Sequence, residues 1–213
     1  MLCIIPARGG STRLPNKNIL ELDGIPVIQH VIDIAYSAGF SVVVSTDSDE
    51  VKRIAENTGI CRVSMRPEWL SGDKPESDVI LYTMQEYTTY QACRIYPFAA
   101  LLTKKRLLDG YQCFLEEGGT VMERTPYKHP ILRAIKENQD YYDYGSVMSR
   151  SQDLPVYYHD AATYMFTTIE EIKKPLYERK IIWKDVENIN CQDVDDAEDF
   201  EMLKMKYKWR SDG

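Results

Sequence analysis

An α/β fold built on a doubly wound sheet of parallel βαβ units is the class this sequence predicts, and three observations predict it. Short β-branched runs alternate with segments of helical periodicity, the pattern of successive βαβ units. A glycine-rich, cationic turn directly follows the first run, and no repeat, heptad run or low-complexity linker interrupts the alternation. The 213 residues are 44% apolar and 28% charged, an ordinary globular composition long enough to bury its own core. One domain over residues 1–213 is expected, with an inserted lobe at about 123–160.

LCIIP is the first strand. IPVIQHVIDIAYSAGF puts Val27, Ile28, Val31, Ile32 and Ala35 on one helical face and ends near Gly39. SVVVS (Ser41 to Ser45) reads as a buried strand. Ser48 is the candidate cap of a helix carrying Val51, Ile54 and Ala55, Gly59 ends it, and CRVSM is extended. Ser77 is the candidate cap of the next helix. ACRIYP then reads as a strand, Thr103 to Glu117 as a helix with Leu107, Leu108, Tyr111, Phe114 and Leu115, and GGTVM returns to the sheet. Between Glu123 and Asp160, tyrosines, prolines and polar residues replace clean periodicity. That segment reads equally as an active-site lobe and as a surface insertion or dimer arm. ATYMFTT and Ile189 to Val194 are further strands. The last helix starts at Asp195 or Asp196, where Asp-x-x-Glu resembles a capping box, and buries Phe200, Leu203 and Tyr207.

A formal net charge of −7 argues against a broad nucleic-acid footprint. MLCIIPARGG has neither the basic region nor the apolar length of a signal peptide or membrane span. Cys3, Cys61, Cys93, Cys113 and Cys191 are scattered and include no C-x-x-C pair, so they are expected to be reduced core residues in a cytoplasmic protein.

Three constellations carry chemistry. In ARGGSTRLPNKN, Gly9 and Gly10 allow a tight turn that presents backbone N–H groups, while Arg8, Arg13 and Lys17 bring charge to it. A triphosphate suits that turn. The loop is neither a P-loop nor a G-x-G-x-x-G site, and a glycine pair after a strand is commonly only a turn. In QDVDD, an extended backbone would project Asp193 and Asp195 to one face, where their oxygens can share Mg²⁺; plain helix capping is the alternative. In RSQDLPVYYHDAATY, His159 and Asp160 beside a tyrosine pair suit a hydroxyl-rich ligand. His30 and His129 receive no role.

Together these segments resemble a known family. IIPARGGSTRLPNKNI is similar to the N-terminal signature of the CMP-sialic acid and CMP-Kdo synthetases, and VVVSTDSDEV to their STD element. RPEWLSGD resembles their RP-x-x-L-x-x-D segment, CRIYP their central strand, and QDVDDAEDFEMLKMKY their terminal metal-binding segment. RSQDLPVYYHDA resembles the branch acting on pseudaminic acid more than those acting on N-acetylneuraminate or Kdo. The resemblance covers nearly the whole chain. It implies a Rossmann-like nucleotidyltransferase sheet with helices on both faces and a small dimerisation and active-site lobe, hence a homodimer. It also implies transfer of CMP from CTP to an acidic nine-carbon sugar, with Mg²⁺ as cofactor and no nucleic acid or membrane partner.

Carried over residue by residue, it implies that Arg8, Gly9, Gly10, Ser11, Arg13, Lys17 and Asn18 hold CTP, with Arg66 and Ser77 adding contacts. Asp193 and Asp195 would bind Mg²⁺, and Arg8 and Lys17 would join them in catalysis. Gln152, Tyr158, His159, Asp160 and Tyr164 would form the sugar pocket. Two positions depart from the pattern. Thr12 stands where the family's GGSK has lysine, and Pro97-Phe98-Ala99-Ala100 replaces its P-T-S/A-P turn. They motivate two alternatives: a nucleotide-binding relative weakened in transfer, acting as a sensor or partner subunit, and a sugar-1-phosphate nucleotidyltransferase.

Overall fold

The structure, a computed structural model, describes residues 1–211. The first strand, β1 (Leu2–Pro6), leads through a loop and a short 3-10 turn at Lys17–Ile19 into a small antiparallel hairpin, β2 (Glu21–Leu22) and β3 (Ile25–Pro26). Then α1 (Val27–Ser37), β4 (Ser41–Thr46), α2 (Asp49–Asn57), β5 (Cys61–Met65), α3 (Glu76–Glu86) and β6 (Gln91–Ile95) alternate as the hydrophobic pattern requires. Next come α4 (Lys104–Glu117), β7 (Thr120–Pro126), a lobe containing α5 (Tyr144–Val147), β8 (Tyr158–Thr168), α6 (Ile169–Lys173), β9 (Ile181–Asp185) and α7 (Ala197–Ser211).

Seven strands form one sheet in the order β5-β4-β1-β6-β8-β7-β9. All pairings within it are parallel except those of β8, which runs against both β6 and β7. Alternating strand residues supply two cores. Cys3, Ile5, Val42, Val44 and Ile95 pack under α1, α2 and α4, while Leu2, Ile4, Val43 and Ala92 pack under α3 and α6. The sheet is therefore covered on both faces, which explains why its central strands are apolar without alternation. A third cluster seats Phe200 and Leu203 of α7 against Leu22, Phe98, Leu101 and Val194.

All five apolar positions assigned to α1 are fully buried. The Ser48 side chain caps α2 by accepting from the Val51 N–H, and Thr103 caps α4 in the same way. Other expectations need correction. Ser77 caps nothing: α3 begins one residue earlier, behind Pro75, and Ser77 lies within its first turn. Leu108 and Leu115 are exposed, because α4 turns only Leu107, Gly110 and Phe114 fully inward. The segment from Ile189 to Val194 is no strand; it begins in a 3-10 turn and continues as irregular backbone. The edge strand β9 has no counterpart among the expected strands, since its half-exposed residues carry a weaker pattern. The lobe is shorter than expected. β7 and β8 absorb both ends of 123–160, leaving 127–157 as the irregular part. At the start of α7, the reciprocal box is Asp196 with Asp199 rather than with a glutamate: the Asp199 N–H donates to Asp196 Oδ1 at 3.0 Å, and the Asp196 N–H to Asp199 Oδ2 at 3.3 Å.

His30 is structural. Its ring sits 2.8 Å from the Leu22 carbonyl and 3.2 Å from the Tyr207 hydroxyl. The five cysteines are free, with Cys3, Cys93 and Cys191 buried. No described helix is long and apolar enough to cross a membrane.

Candidate active site

Four neighbouring parallel strands end at the same edge of the sheet, and each runs into a polar segment there: loop 7–18 after β1, Asp47 beyond β4, Arg66 after β5, and Tyr96 to Phe98 after β6. The carboxyl edge of a parallel sheet gathers loops into a crevice. Here Asp47 ties two of them together. Its Oδ1 accepts from the Gly9 N–H at 2.7 Å and its Oδ2 from the Gly72 N–H at 2.8 Å. Burial pushes the Asp47 carboxyl up, but these two N–H donors and the nearby Arg66 outweigh it and hold the group below the usual aspartate range.

Gly9 is small because a Cβ there would lie 2.9 Å from the Cβ of Ser48, whereas Gly10 has open space around it. Neither takes a left-handed conformation. In this loop Asn16 does, at φ 58°, so the turn works differently from the expected glycine pair. The buried Asn18 closes the loop by donating from Nδ2 to the Arg8 carbonyl at 2.9 Å. Ser11 is half-buried and Arg13 exposed on its outer arm. Arg8 pairs with Asp73 at 2.7 Å, and the buried Arg66 donates to the Ser45 carbonyl at 3.0 Å. A cavity of about 180 Å³ opens between Arg8, Lys17, Asn18, Arg66, Glu76 and Phe98. Ser77 does not line it.

From the far end of the chain, the segment before α7 lays its carboxylates against this loop. Lys17 Nζ donates to the Val194 carbonyl at 2.5 Å and lies 3.5 Å from Asp195 Oδ1, while Arg13 Nη2 pairs with that same oxygen at 2.8 Å. Asp193 and Asp195 share the wall of a 370 Å³ hollow with His159, Asp160 and Asp199. Burial, then the charge of Asp195, push the Asp193 carboxyl above its usual range. Two hard oxygen donors that repel each other beside an open polar hollow could hold a divalent cation such as Mg²⁺, with water and substrate oxygens completing the shell. Among the described residues there is no group of three or more His, Cys, Asp or Glu able to hold a metal, so these two carboxylates form no closed cage.

Of the five residues expected on the sugar side, only His159 and Asp160 reach that hollow. His159 packs against Tyr127, ring centroids 4.6 Å apart. Gln152 lies in a separate hollow of the lobe, with Tyr127, His129 and Val156. Tyr158 lies under the Arg124 guanidinium, 4.1 Å from its ring. Tyr164 is a correction: it is a core residue, 1% exposed, packed edge-on against Phe166. The register between β7 and β8 slips past Met122, where Ala162 takes φ 51°, and Tyr164, placed by resemblance, lies beyond that slip.

Two further groups escape a reading of the sequence. Asp47 is visible there only as part of VVVSTDSDEV, and nothing local reveals that it bridges loops 38 and 25 residues away. Tyr96 and Phe98 stack nearly parallel at 5.3 Å, with Lys17 4.7 Å from the Phe98 ring and the buried Arg94 3.8 Å from the Tyr96 ring. Against the pull of the Arg94 cation, burial and the carboxylates of Glu76, Asp160 and Asp193 hold the Tyr96 phenol above its ordinary range. The phenol therefore stays neutral between the two hollows.

Comparison with known proteins meets this geometry. A sequence profile of the cytidylyltransferase family matches residues 2–208. Pseudaminic acid cytidylyltransferase of Campylobacter jejuni is 34% identical, covering 97% of this chain and 96% of that one. N-acylneuraminate cytidylyltransferase of Streptococcus agalactiae is 31% identical over 77% of this chain and 42% of that protein. Among solved structures, CMP-2-keto-3-deoxy-manno-octonic acid synthetase in complex with CTP superposes with a TM-score of 0.74 across 98% of both chains, at 17% identity that speaks for the fold alone. With near-complete coverage by both the profile and a relative, this chain belongs to the cytidylyltransferase family and is a CTP-dependent nucleotidyltransferase.

Proposed function

We propose that the chain transfers CMP from CTP to an acidic nine-carbon nonulosonic sugar of the pseudaminic acid type, releasing pyrophosphate. One observation carries the reading: Lys17 of the glycine-rich loop and Asp195, 178 positions later, meet at 3.5 Å between the cavity at the carboxyl edge of the sheet and a polar hollow. The full-length relative supplies the sugar class, being itself named for pseudaminic acid.

In this reading the nucleotide occupies the cavity beside Arg66 and Asn18, its triphosphate along Arg8, Gly9, Gly10, Ser11 and Arg13. The sugar lies by His159 and Asp160. Its anomeric hydroxyl attacks the α-phosphorus in line and pyrophosphate departs, with no covalent enzyme intermediate. Lys17, fixed by the Val194 carbonyl and the Phe98 ring, is preorganised toward the phosphate charge that develops. Asp193 and Asp195 would hold Mg²⁺, which would supply Lewis acidity toward the sugar hydroxyl and offset phosphate charge. The aromatic lobe 127–157 is taken as the contact of a homodimer, and the free cysteines suit a cytoplasmic enzyme.

The test is pyrophosphate release from CTP and Mg²⁺ with a panel of nonulosonic acids. Pseudaminic acid should be the best acceptor, and CTP should be preferred over UTP because a pocket that pairs with one base edge rejects the other. Equal turnover with UTP, or release only with a sugar 1-phosphate, would overturn the reading.

A further inference from the structure

The segment that carries Asp193 and Asp195 is irregular backbone, yet it is gripped at both ends by one helix. Lys206 of α7 is 6% exposed, and its ammonium donates to the carbonyls of Asn188 and Cys191, each at 2.7 Å. Asn188 Oδ1 lies 3.5 Å from the same nitrogen. Seven residues earlier, close to two helical turns and hence on the same face, the Asp199 carboxylate works on the other end. It accepts from the Asp195 N–H at 2.9 Å, the Asp196 N–H at 3.3 Å and the Gln192 side chain at 3.4 Å. An ammonium with three donors matches carbonyl oxygens, and a carboxylate matches N–H groups, so each end meets its complement. Asp193 and Asp195 lie between or beside these anchors, and Lys206 and Asp199 line the same hollow as both aspartates.

Burying a lysine costs free energy unless its charge is well partnered. Burial lowers the Lys206 ammonium's pKa, and the nearby Lys128 adds to that effect. The outer surface of α7 could host a lysine at no such cost, and a buried leucine would serve packing better. A clamp gives the position a reason that packing alone does not.

We propose that Lys206 and Asp199 are positioning residues: a two-point clamp on α7 that fixes residues 188–196 so that Asp193 and Asp195 are preorganised for the divalent cation. The proposal rests on the metal reading above. Preorganisation by groups behind the ligands typically changes metal affinity about 10–100-fold.

The experiment compares the unaltered chain with Lys206→Met and Asp199→Asn, the second retaining an acceptor oxygen and the fold should the first fail to fold. Two readouts are taken: Mg²⁺ binding by calorimetry and amide hydrogen exchange in metal-free protein. Mg²⁺ affinity should fall at least about tenfold, and exchange should quicken across 188–196 while β1, β4 and β6 stay protected. CTP binding without metal should change less than about twofold, since neither residue touches the nucleotide cavity. Faster exchange spread over the whole sheet would mark a merely structural role and overturn the proposal, as would unchanged affinity and exchange in the folded variants. Absence of Mg²⁺ binding by the unaltered chain would overturn the metal reading itself, and the clamp's purpose with it.

Discussion

The two halves of the site are built differently. On the proposed nucleotide side, the groups lie in loops that follow the parallel strands and each is tied down by a hydrogen bond: Gly9 and Gly72 to Asp47, Asn18 to the Arg8 carbonyl, Arg66 to Ser45, and Lys17 to Val194. On the sugar side, His159 and Asp160 lie on the long arm of β8, below a bulge and beside a lobe of 3-10 turns, one short helix and a single isolated bridge. In the proposed reading, the difference teaches that a rigid frame serves a phosphate, whose geometry never changes, while the acceptor would be met by a region whose length and register can vary without disturbing the sheet.

The largest expected effect lies where the halves join. Asp193→Asn or Asp195→Asn should abolish transfer, because an amide is a poorer Mg²⁺ ligand than a carboxylate. Circular dichroism should show the fold intact. Near-normal turnover by both variants would break the assignment.

Next comes the frame itself. Asp47→Asn replaces an acceptor of two backbone donors with a neutral amide that can satisfy only one, so turnover should fall about 10–100-fold through loss of phosphate-loop positioning. The same variant has a pH signature. The folded Asp47 pKa is depressed, so its stabilisation is fully present above the unfolded value near 4 and is lost as pH falls through the lower folded value. The gap in Tm between wild type and Asp47→Asn should therefore be wide at about pH 7 and narrow below about pH 4. A gap independent of pH would show that the N–H contacts do not hold the carboxylate ionised.

The same contrast governs what is legible in the sequence. β1, α1, β4, α2 and β5 can be read there because their apolar periodicity is local and their ends carry caps and glycines, as with Ser48 and Gly59. The phosphate loop can be read because its cations lie within ten residues of one another. Asp47 and Tyr96 cannot, since their roles depend on partners brought close by the sheet. Tyr164, assigned by resemblance, is misplaced because a likeness of motifs does not show the register shift at Ala162 that lies between it and Asp160. The segment from Ile189 to Val194 reads as a strand by composition, but side chains take carbonyls that a sheet would have used: Arg106 that of Asn190, Lys206 that of Cys191 and Lys17 that of Val194.

A smaller effect separates the sugar candidates from one another. His159→Ala should raise KM for the sugar about tenfold with KM for CTP unchanged, on the scale of a lost polar contact of about 1–1.5 kcal/mol. Gln152→Ala should leave both constants nearly unchanged, since Gln152 occupies another hollow. Tyr164→Phe should act on stability alone. A sugar KM that rises with Gln152→Ala and not with His159→Ala would reverse the placement of the acceptor.

The smallest expected effect is at Thr12, where the pattern that the sequence resembles has lysine. Thr12 is exposed, and the loop around it already presents Arg8 and Lys17 to the cavity, with Arg66 inside, while Arg13 pairs with Asp195 on the outer arm. Lys17 is the best placed of these, held at 2.5 Å from a carbonyl and against an aromatic face that the unusual Phe98 supplies. The two departures from the pattern thus lie on one phosphate loop and one turn, and the second steadies a cation where the first omits one. A further charge on an exposed, solvent-screened position adds little to a site already preorganised. Thr12→Lys should therefore change kcat less than about fivefold, against the roughly 10²–10³ that a well-aimed transition-state contact confers. Pairing it with Phe98→Ala sharpens the point. If Phe98 compensates for the missing lysine, Phe98→Ala should lower kcat in the wild-type background and lower it less in the Thr12→Lys background, a non-additivity read from a double-mutant cycle. Strict additivity would show that Phe98 does not compensate for the missing lysine, and a large gain from Thr12→Lys alone would show that the loop lacks a charge it needs.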